Sequence, residues 1–214
     1  MPAGFSSYLE NKLTDLVLRA QAFSGPATFY AGLLTCTNGI VARSTTYATN
    51  NSVVVLAADG LYHLYLVTTG GQTAASAPAY PGYANETITD GAATLKEQQS
   101  NLSQGLSPFV EVSGGSYARV AVTASLANWS GTQGAGTTTA SSGTGGQSSN
   151  NAAITFPTST AAWAAAPVMV WGIGIWDASS GGNELFWGAL TTPQNIGTGN
   201  TPSFSAAQLT ATFN

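Results

Sequence analysis

The sequence predicts a mainly β protein: a β-sandwich or jelly-roll-like domain with one N-terminal helix and a small inserted β module. Three observations predict this class. Several short apolar runs alternate between two faces, turn-forming clusters rich in Gly, Asn, Ser and Pro separate them, and one segment alone has helical periodicity. The 214 residues suffice for one domain with a small insert, and for a core that needs no disulfide or metal.

The predicted helix covers residues 6–22. Ser7 and Glu10 have the spacing of a capping box, in which each side chain satisfies a free backbone N–H group at the start of the helix. The apolar positions that follow recur at helical spacing and form one stripe: Leu9, Leu13, Leu16 and Val17. The Ser-Gly-Pro sequence at 24–26 ends the pattern, because Gly and Pro disfavour helix continuation.

The other apolar runs are typical of strands. They lie at residues 27–35, 52–58, 61–69, 116–124, 167–176, 184–190 and 203–213. In one run small and large side chains alternate: Val168, Val170, Gly172 and Gly174 on one face, and Met169, Trp171, Ile173 and Ile175 on the other. The small side chains indicate close approach of another layer. Residues 177–183 are rich in turn formers, so the runs on either side of them are predicted to form a hairpin.

Two stretches interrupt the strand pattern. Residues 130–151 contain no large apolar side chain, so we expect a loop that is flexible unless neighbours order it. Residues 44–98 contain their own strand patterns and a turn at 89–91, and they indicate a compact inserted module. The predicted organisation is a host β-sandwich domain formed by residues 1–43 plus 99–214, with the small β module inserted at 44–98. A module of roughly 55 residues is expected to depend on its host for stability.

The content of charged residues is low. Asp, Glu, Lys and Arg make up 7% of the chain, against roughly 25% in an average soluble protein, while the hydrophobic content is 43%. Such a surface is polar but weakly repulsive, which favours a chain that works inside an assembly. A secreted β-protein with a neutral surface is the alternative.

Charge and hydropathy exclude two classes of partner. The net charge is −4 and the five basic residues are scattered, whereas nucleic-acid binding requires clustered cations. No signal-peptide pattern opens the sequence, and no apolar run approaches the roughly 20 residues that cross a bilayer. We therefore expect neither a nucleic-acid partner nor a membrane partner.

No catalytic, cofactor-binding or metal-binding residue is predicted. His63 is the only histidine and lies in an alternating strand, where we expect a surface position of the module rather than a zinc ligand or general base. Cys36 is the only cysteine, so an intrachain disulfide is excluded and a small buried apolar role is favoured. Asp177 and Glu184 are two carboxylates of the kind that glycoside cleavage requires, but turn capping by Asp177 and Asn183 is the preferred interpretation.

Ordered motifs in the second half resemble a widespread family of short tailed-phage virion proteins, usually labelled tail fibre or minor structural protein. The matching segments are 114–122 (GGSYARVAV), 154–157 (ITFP), 174–178 (GIWDA), 181–183 (GGN) and 188–193 (GALTTP). The opening helix and residues 26–33 fit the same family, so the resemblance covers residues 1–43 and about 110–214. It implies a structural virion protein without catalytic residues.

Residues 44–98 resemble a different module, grafted onto many phage virion proteins and described as carbohydrate-binding-like. The matching pieces include 44–48 (STTYA), 52–55 (SVVV), 77–81 (APAYP) and 89–95 (TDGAATL), with Tyr80 and Leu95 at positions that are often Trp in that pattern. The resemblance implies sugar contacts through aromatic faces, for which Tyr65, Tyr80 and Tyr83 are the candidates. A spacer that only adds bulk is the alternative.

The function expected from these features is a capsid decoration or cement protein of a tailed bacteriophage. It would be made in the host cytoplasm, form homotrimers and stabilise the virion head by covering junctions of the major capsid protein. The alternative is a tail-fibre or baseplate protein that binds a host-surface glycan through the inserted module, although the repeats and coiled-coil heptads of long fibres are missing from the sequence. A polysaccharide-degrading enzyme is the least favoured hypothesis.

Overall fold

The computed structural model describes residues 3–36, 38–58, 60, 62–82, 85–98, 110–163 and 169–212. The helix is α1 (Ser7–Leu18). The strands are β1 (Ala3–Phe5), β2 (Thr28–Thr35), β3 (Thr46–Tyr47), β4 (Ser52–Leu56), β5 (Tyr62–Thr69), β6 (Gly71–Gln72), β7 (Thr87–Asp90), β8 (Ala93–Glu97), β9 (Val110–Glu111), β10 (Val120–Thr123), β11 (Gln147–Ser149), β12 (Ile154–Thr155), β13 (Val170–Trp176), β14 (Glu184–Gln194), β15 (Ser203–Phe204) and β16 (Thr210–Thr212). The predicted class, mainly β and sandwich-like with one helix, is confirmed.

The N-cap of the helix lies one residue before the position that the capping-box spacing predicts. Ser6 is the N-cap, and its side-chain oxygen accepts a hydrogen bond of 3.2 Å from the backbone N–H of Leu9. Ser6 is extended because its own N–H continues the sheet by donating to the carbonyl of Leu185 at 2.9 Å. The predicted capping box of Ser7 and Glu10 is therefore wrong: the N-cap is Ser6, and the residue three positions later is Leu9, which cannot complete a capping box.

The helix also ends four residues before the predicted end. Ala20 has a positive φ of 52°, and the N–H groups of Arg19 and Gln21 both donate to the carbonyl of Asp15, at 3.2 and 3.0 Å, so the chain leaves the helix just after Arg19. The apolar stripe is covered only at its start. Leu9 is 6% exposed, whereas Leu16 and Val17 are 42% and 72% exposed.

The larger sheet has the strand order β1-β14-β13-β2-β10, with β9 also paired to β2, and every pairing is antiparallel. The predicted hairpin of β13 and β14 is confirmed. One face of this sheet carries the main core, whose buried members are Ala31, Leu33, Val112, Ile154, Phe156, Trp163, Val170, Ile173, Ile175 and Ile196. The short pairs β12–β15 and β11–β16 lie in the segments that follow β10 and β14, and β12 contributes Ile154 to this core.

A β-bulge changes the alternation of β13. Between Val170 and Gly172 the partner on β2 advances by one residue, from Thr35 to Leu34, so β13 has one extra residue there. The partner on β14 moves from Gln194 to Ala189, so on that side the extra residues belong to β14. Val170 consequently lies in the same core cluster as Ile173 and Ile175, and its predicted position opposite to them is wrong. Gly172 and Gly174 still alternate with the two isoleucines as predicted, and Val168 lies outside the described residues.

Small residues on β2 and β13 make room for one indole ring. A Cβ atom on Gly32 would lie 2.6 Å from the ring of Trp176 and 2.7 Å from the hydroxyl oxygen of Tyr117. Trp176 also forms a small buried cluster with Leu34 and Trp187. The close approach that the small side chains predict is thus made by the side chain of Trp176, which lies across the glycines.

Two predicted strands are shorter than their apolar patterns. The run at 116–124 becomes a strand only at Val120, because Ser116 has a positive φ of 64° that is incompatible with a strand. The run at 203–213 divides into β15 and β16, which pair with different partners, and Ala207 between them also has a positive φ. Residues 61, 167 and 213 of the predicted runs lie outside the described part of the chain.

A second sheet with the order β4-β5-β8-β7 and the short pair β3–β6 is built from residues 46–97. Its buried core consists of Tyr47, Val53, Val55, Ala57, Tyr65, Val67, Tyr80, Ala93 and Leu95. The turn between β7 and β8 places Gly91 at a φ of 65°, a conformation that glycine adopts without strain.

The two sheets are joined by a small apolar cluster. Cys36, Val54, Leu64 and Trp171 are buried together, and Met169 packs against them. A parallel bridge between Ile40 and Val54 extends the second sheet toward the end of β2. This joint agrees with the expectation that the module depends on its host, although the division into 1–43 plus 99–214 and 44–98 stays a prediction.

The polar loop at 130–151 is ordered by its own side chains. The N–H of Gly131 donates to Thr137 Oγ1 at 2.9 Å, and the N–H of Gly136 donates to Asn151 Oδ1 at 3.0 Å. Ser130 and Ser149 are buried, and β11 lies within the segment. Side-chain hydroxyl and amide groups therefore form hydrogen bonds with backbone groups in a loop that has no large apolar side chain to bury.

Replacing Gly32 with Ala should lower the free energy of unfolding by about 1–3 kcal/mol, because the new methyl group overlaps Trp176. Urea unfolding of Gly32→Ala checks this, with Gly25→Ala as the matched control, since no atom lies within 4 Å of a Cβ there. Equal stabilities of the two variants would contradict the packing described for Trp176.

The thiol of Cys36 should react slowly with a disulfide reagent in the folded protein. Burial raises the pKa of Cys36 to about 11, which lowers the thiolate fraction near pH 8 on the order of a hundredfold relative to an ordinary cysteine. The rate should rise with pH toward that value and increase sharply in denaturant. Rapid labelling at pH 8 without denaturant would show that the apolar cluster around Cys36 is accessible to the reagent, which would contradict the packing between the two sheets.

Candidate functional site

The side chain of Arg119, just before β10, donates four hydrogen bonds. Its Nε and Nη2 atoms donate to the two carboxylate oxygens of Glu111, both at 2.7 Å. Its Nη1 atom donates to the backbone carbonyls of Ala178 at 2.7 Å and Gly181 at 2.8 Å. One guanidinium thus joins β9 to the turn between β13 and β14, and such bidentate pairing fixes orientation as well as distance.

The guanidinium also stacks on an aromatic ring. The Cζ atom of Arg119 lies 4.0 Å from the ring centroid of Trp176, and the Arg119 side chain is 6% exposed. A cation over an indole face is favourable, more so when water is excluded. Because Trp176 itself lies across Gly32, the stack connects Arg119 to the centre of the sheet.

Tyr117 completes the network around Glu111. Its hydroxyl accepts a hydrogen bond of 2.9 Å from the backbone N–H of Leu33 and donates one of 2.9 Å to Glu111 Oε1. Burial, together with the negative charge of Glu111, raises the pKa of Tyr117. The phenol therefore keeps its proton at neutral pH and bridges β2 to β9. We call Glu111, Tyr117, Arg119 and Trp176 the Arg119 cluster.

The glycines that precede Tyr117 make a sharp corner. Gly114, Gly115 and Ser116 have consecutive positive φ angles of 78°, 54° and 64°. The indole N–H of Trp163 donates to the carbonyl of Gly115 at 2.6 Å, and a Cβ on Gly115 would lie 2.9 Å from that ring. The GGSYAR segment is thus a structural corner that directs Tyr117 and Arg119 into the network.

The turn at 177–183 is held by side-chain hydrogen bonds. Asp177 accepts from the backbone N–H of Asn183 at 2.7 Å and from the Asn183 amide group at 2.8 Å. This confirms the predicted turn capping by the two residues. Glu184 follows as the first residue of β14, opposite Trp176 in the strand register.

Two of the three candidate sugar-contacting tyrosines, Tyr65 and Tyr80, lie in the core of the second sheet. Tyr65 is 0% exposed and Tyr80 is 4% exposed, and their rings meet edge to face with centroids 5.6 Å apart. The Tyr65 hydroxyl donates to the carbonyl of Pro81. Tyr83 lies outside the described residues. A glycan contact by these residues stays a prediction.

Tyr80 belongs to a buried polar network. Its hydroxyl donates to Asp90 and accepts from Arg43 Nη2 at 2.7 Å, while Arg43 Nη1 pairs with Asp90 at 2.8 Å. The Asp90 side chain is fully buried. Burial and the bond to Asp90 raise the pKa of Tyr80. The network ties Arg43, just before β3, to the turn after β7.

His63 is buried, so its expected surface position is wrong. It is 3% exposed and its Nδ1 atom lies 3.3 Å from Oε1 of Glu97, which is fully buried. The register of β5 and β8 pairs Tyr65 with Glu97, which brings the carboxylate to the same face as His63. Sequence reasoning missed this pair, since only the strand register reveals it.

The described residues contain neither a candidate metal site nor a candidate membrane-spanning helix. They contain no group of three or more His, Cys, Asp or Glu side chains arranged to hold a metal ion. Among the elements that the structure describes, no helix has the length and apolar character required to cross a bilayer.

Comparison with known proteins gives one family. The family model described as Podophage GP4 fiber I protein gp80 matches residues 103–212, just over half of the chain. The match contains the Arg119 cluster, the corner at 114–116 and the turn at 177–183. No curated protein matches the chain.

Arg119→Lys should lower the free energy of unfolding by about 2–3 kcal/mol, because lysine keeps the charge but cannot form the bidentate pair or the stack. Thermal or urea unfolding measures this. Arg19→Lys is the matched control: Arg19 forms an exposed ion pair with Asp15, so the change should be within about 0.5 kcal/mol. Similar effects at the two positions would contradict the role assigned to Arg119.

Proposed function

Because the chain belongs to the Podophage GP4 fiber I protein gp80 family, and is therefore a phage structural protein, we propose that it is a fibre subunit of a tailed-phage virion. The single observation that carries this proposal is the family match across the Arg119 cluster. In this proposal the protein acts by holding shape and presenting contact surfaces.

The contacts of the Arg119 cluster suit such a role. Arg119, Glu111 and Tyr117 use their polar atoms on one another or on backbone groups, so the charges and the phenol stabilise the fold. The turn at 177–183 and the loop at 130–151 are internally hydrogen-bonded and polar. Rigid polar surfaces of this kind lose little conformational entropy on binding a neighbouring subunit.

We assign the partners on the same grounds. The chain is expected to form a homo-oligomer, a homotrimer in the simplest fibre geometry, and to contact other tail proteins. Its low charge reduces repulsion between copies. We give the second sheet a spacing role, since Tyr65 and Tyr80 are occupied in its core. A glycan partner would then have to use other side chains.

A capsid decoration protein is the second candidate function. The sequence lacks the repeats and heptads of long fibres, and a compact sandwich suits a protein that covers junctions of the major capsid protein. Here too the mechanism would be burial of subunit surface in an oligomer on the virion.

The number of copies in each particle separates the two functions. We expect quantitative mass spectrometry of purified virions to find few copies, in a fixed ratio to other tail proteins, and electron microscopy to place them at the tail. Many copies spread over the head surface would favour the decoration protein. Absence of the chain from purified particles would contradict both.

A further inference from the structure

The β1–α1 segment, residues 3–18, contacts the rest of the described chain along one side only. β1 is at the edge of the larger sheet and pairs with β14 and no other strand. The contacts of α1 are mainly with β14 and with β1 itself. The segment is therefore docked on β14 without being enclosed by the fold.

A small set of contacts holds this docking. Phe5 lies opposite Phe186 in the register, with ring centroids 5.4 Å apart. The N–H of Ser6 donates to the carbonyl of Leu185 at 2.9 Å, and Leu9 is 6% exposed. The edge of β14 from residue 185 to residue 188 thus forms a binding surface complementary to the β1–α1 segment.

The connection from α1 to β2 is long and loosely held. Residues 22–26 form no hydrogen bond within the described part of the chain, and Gly25 has no atom within 4 Å of a Cβ position. Most side chains between 19 and 27 are exposed. When extended, the five residues 22–26 can span about 17 Å, so they do not fix the segment to the β14 of its own chain.

The end of α1 carries apolar surface that this fold leaves uncovered. Leu16, Val17 and Leu18 are 42%, 72% and 78% exposed. Three consecutive exposed apolar side chains at the end of a helix are typical of a surface that a partner covers. The left-handed φ of Ala20 keeps the chain turned sharply just after them.

From these features we infer that the β1–α1 segment is exchanged between copies of this chain, so that β1 of one copy pairs with β14 of another in the same register. The occupant is a second copy, because the surface on β14 is already complementary to this segment. The same contacts form within one chain or between two, so exchange costs little and is favoured at high local concentration.

Exchange also accounts for the exposed end of α1. When the connection at 19–27 crosses from one copy to another, Leu16, Val17 and Leu18 lie where the two copies meet. The second copy can then cover these side chains. The inference rests on the proposed function, since it supplies the contact that an oligomeric virion protein requires. It adds the segment responsible and the strand that receives it.

Cysteines at paired positions test the exchange directly. Phe5→Cys and Phe186→Cys in one chain place two thiols opposite each other across β1 and β14, at a separation that a disulfide can bridge. After refolding at high protein concentration and oxidation, we expect covalently linked chains on a non-reducing gel, and fewer of them when the protein is diluted before refolding. Thr28→Cys with Thr123→Cys is the matched control. These residues pair between β2 and β10, outside the exchanged segment, so their disulfide should form within one chain.

The length of the connection provides a second, independent test in the chain without new cysteines. Deleting residues 22–24 should strain docking within one chain and raise the oligomer fraction severalfold in sedimentation, whereas inserting three Gly and Ser residues after Gly25 should lower it. The inference would be overturned if only intrachain disulfides formed, or if the oligomer fraction did not change with the length of the connection between α1 and β2. Because both tests use purified protein, their failure leaves location in the virion to be judged separately.

Discussion

The guanidinium of Arg119 is the group on which the arrangement of the larger sheet most depends. It reaches a carboxylate eight residues earlier and two carbonyls about sixty residues later, and it stacks on a tryptophan of the central hairpin. Segments on either side of the long polar loop, namely β9 and the β13–β14 hairpin, are therefore tied together through a single side chain. The glycine-rich corner, the small residues beside Trp176 and the capped turn each provide room or direction for that side chain.

Five of the 14 charged residues of this protein take part in buried or partly buried ion pairs. Arg119 pairs with Glu111, Arg43 with Asp90, and His63 contacts Glu97, and in each pair at least one side chain is buried or nearly so. The surface is thus poorer in charge than the 7% of charged residues already suggests. A neutral, hydroxyl- and amide-rich surface is suited to close contact between subunits, because little charge must be desolvated.

Local patterns predicted the elements, and tertiary contacts decided the details. Alternating apolar runs were sufficient for β4, β5 and the β13–β14 hairpin, because one or both faces of these strands are buried. The face on which Val170 lies and the N-cap at Ser6 both depend on neighbouring strands. The sequence pattern alone therefore assigned Val170 to the wrong face and placed the N-cap one residue late. Motif resemblance located Tyr117 and Arg119, but their roles appear only when residues from three strands (β2, β9 and β13) and a turn meet. The same limit applies to Tyr65 and Tyr80, whose aromatic character is equally suited to a core and to a sugar site.

Native-state hydrogen exchange tests the central claim most directly, namely that the Arg119 cluster locks the larger sheet into the scaffold on which contact surfaces are presented. The amide of Leu33, which donates to Tyr117, and that of Asn183, in the turn held by Arg119, should be protected from exchange, and Arg119→Lys should accelerate the exchange of both. Exchange of these amides as fast as those of the exposed loop at 132–146, or acceleration of one without the other, would contradict it.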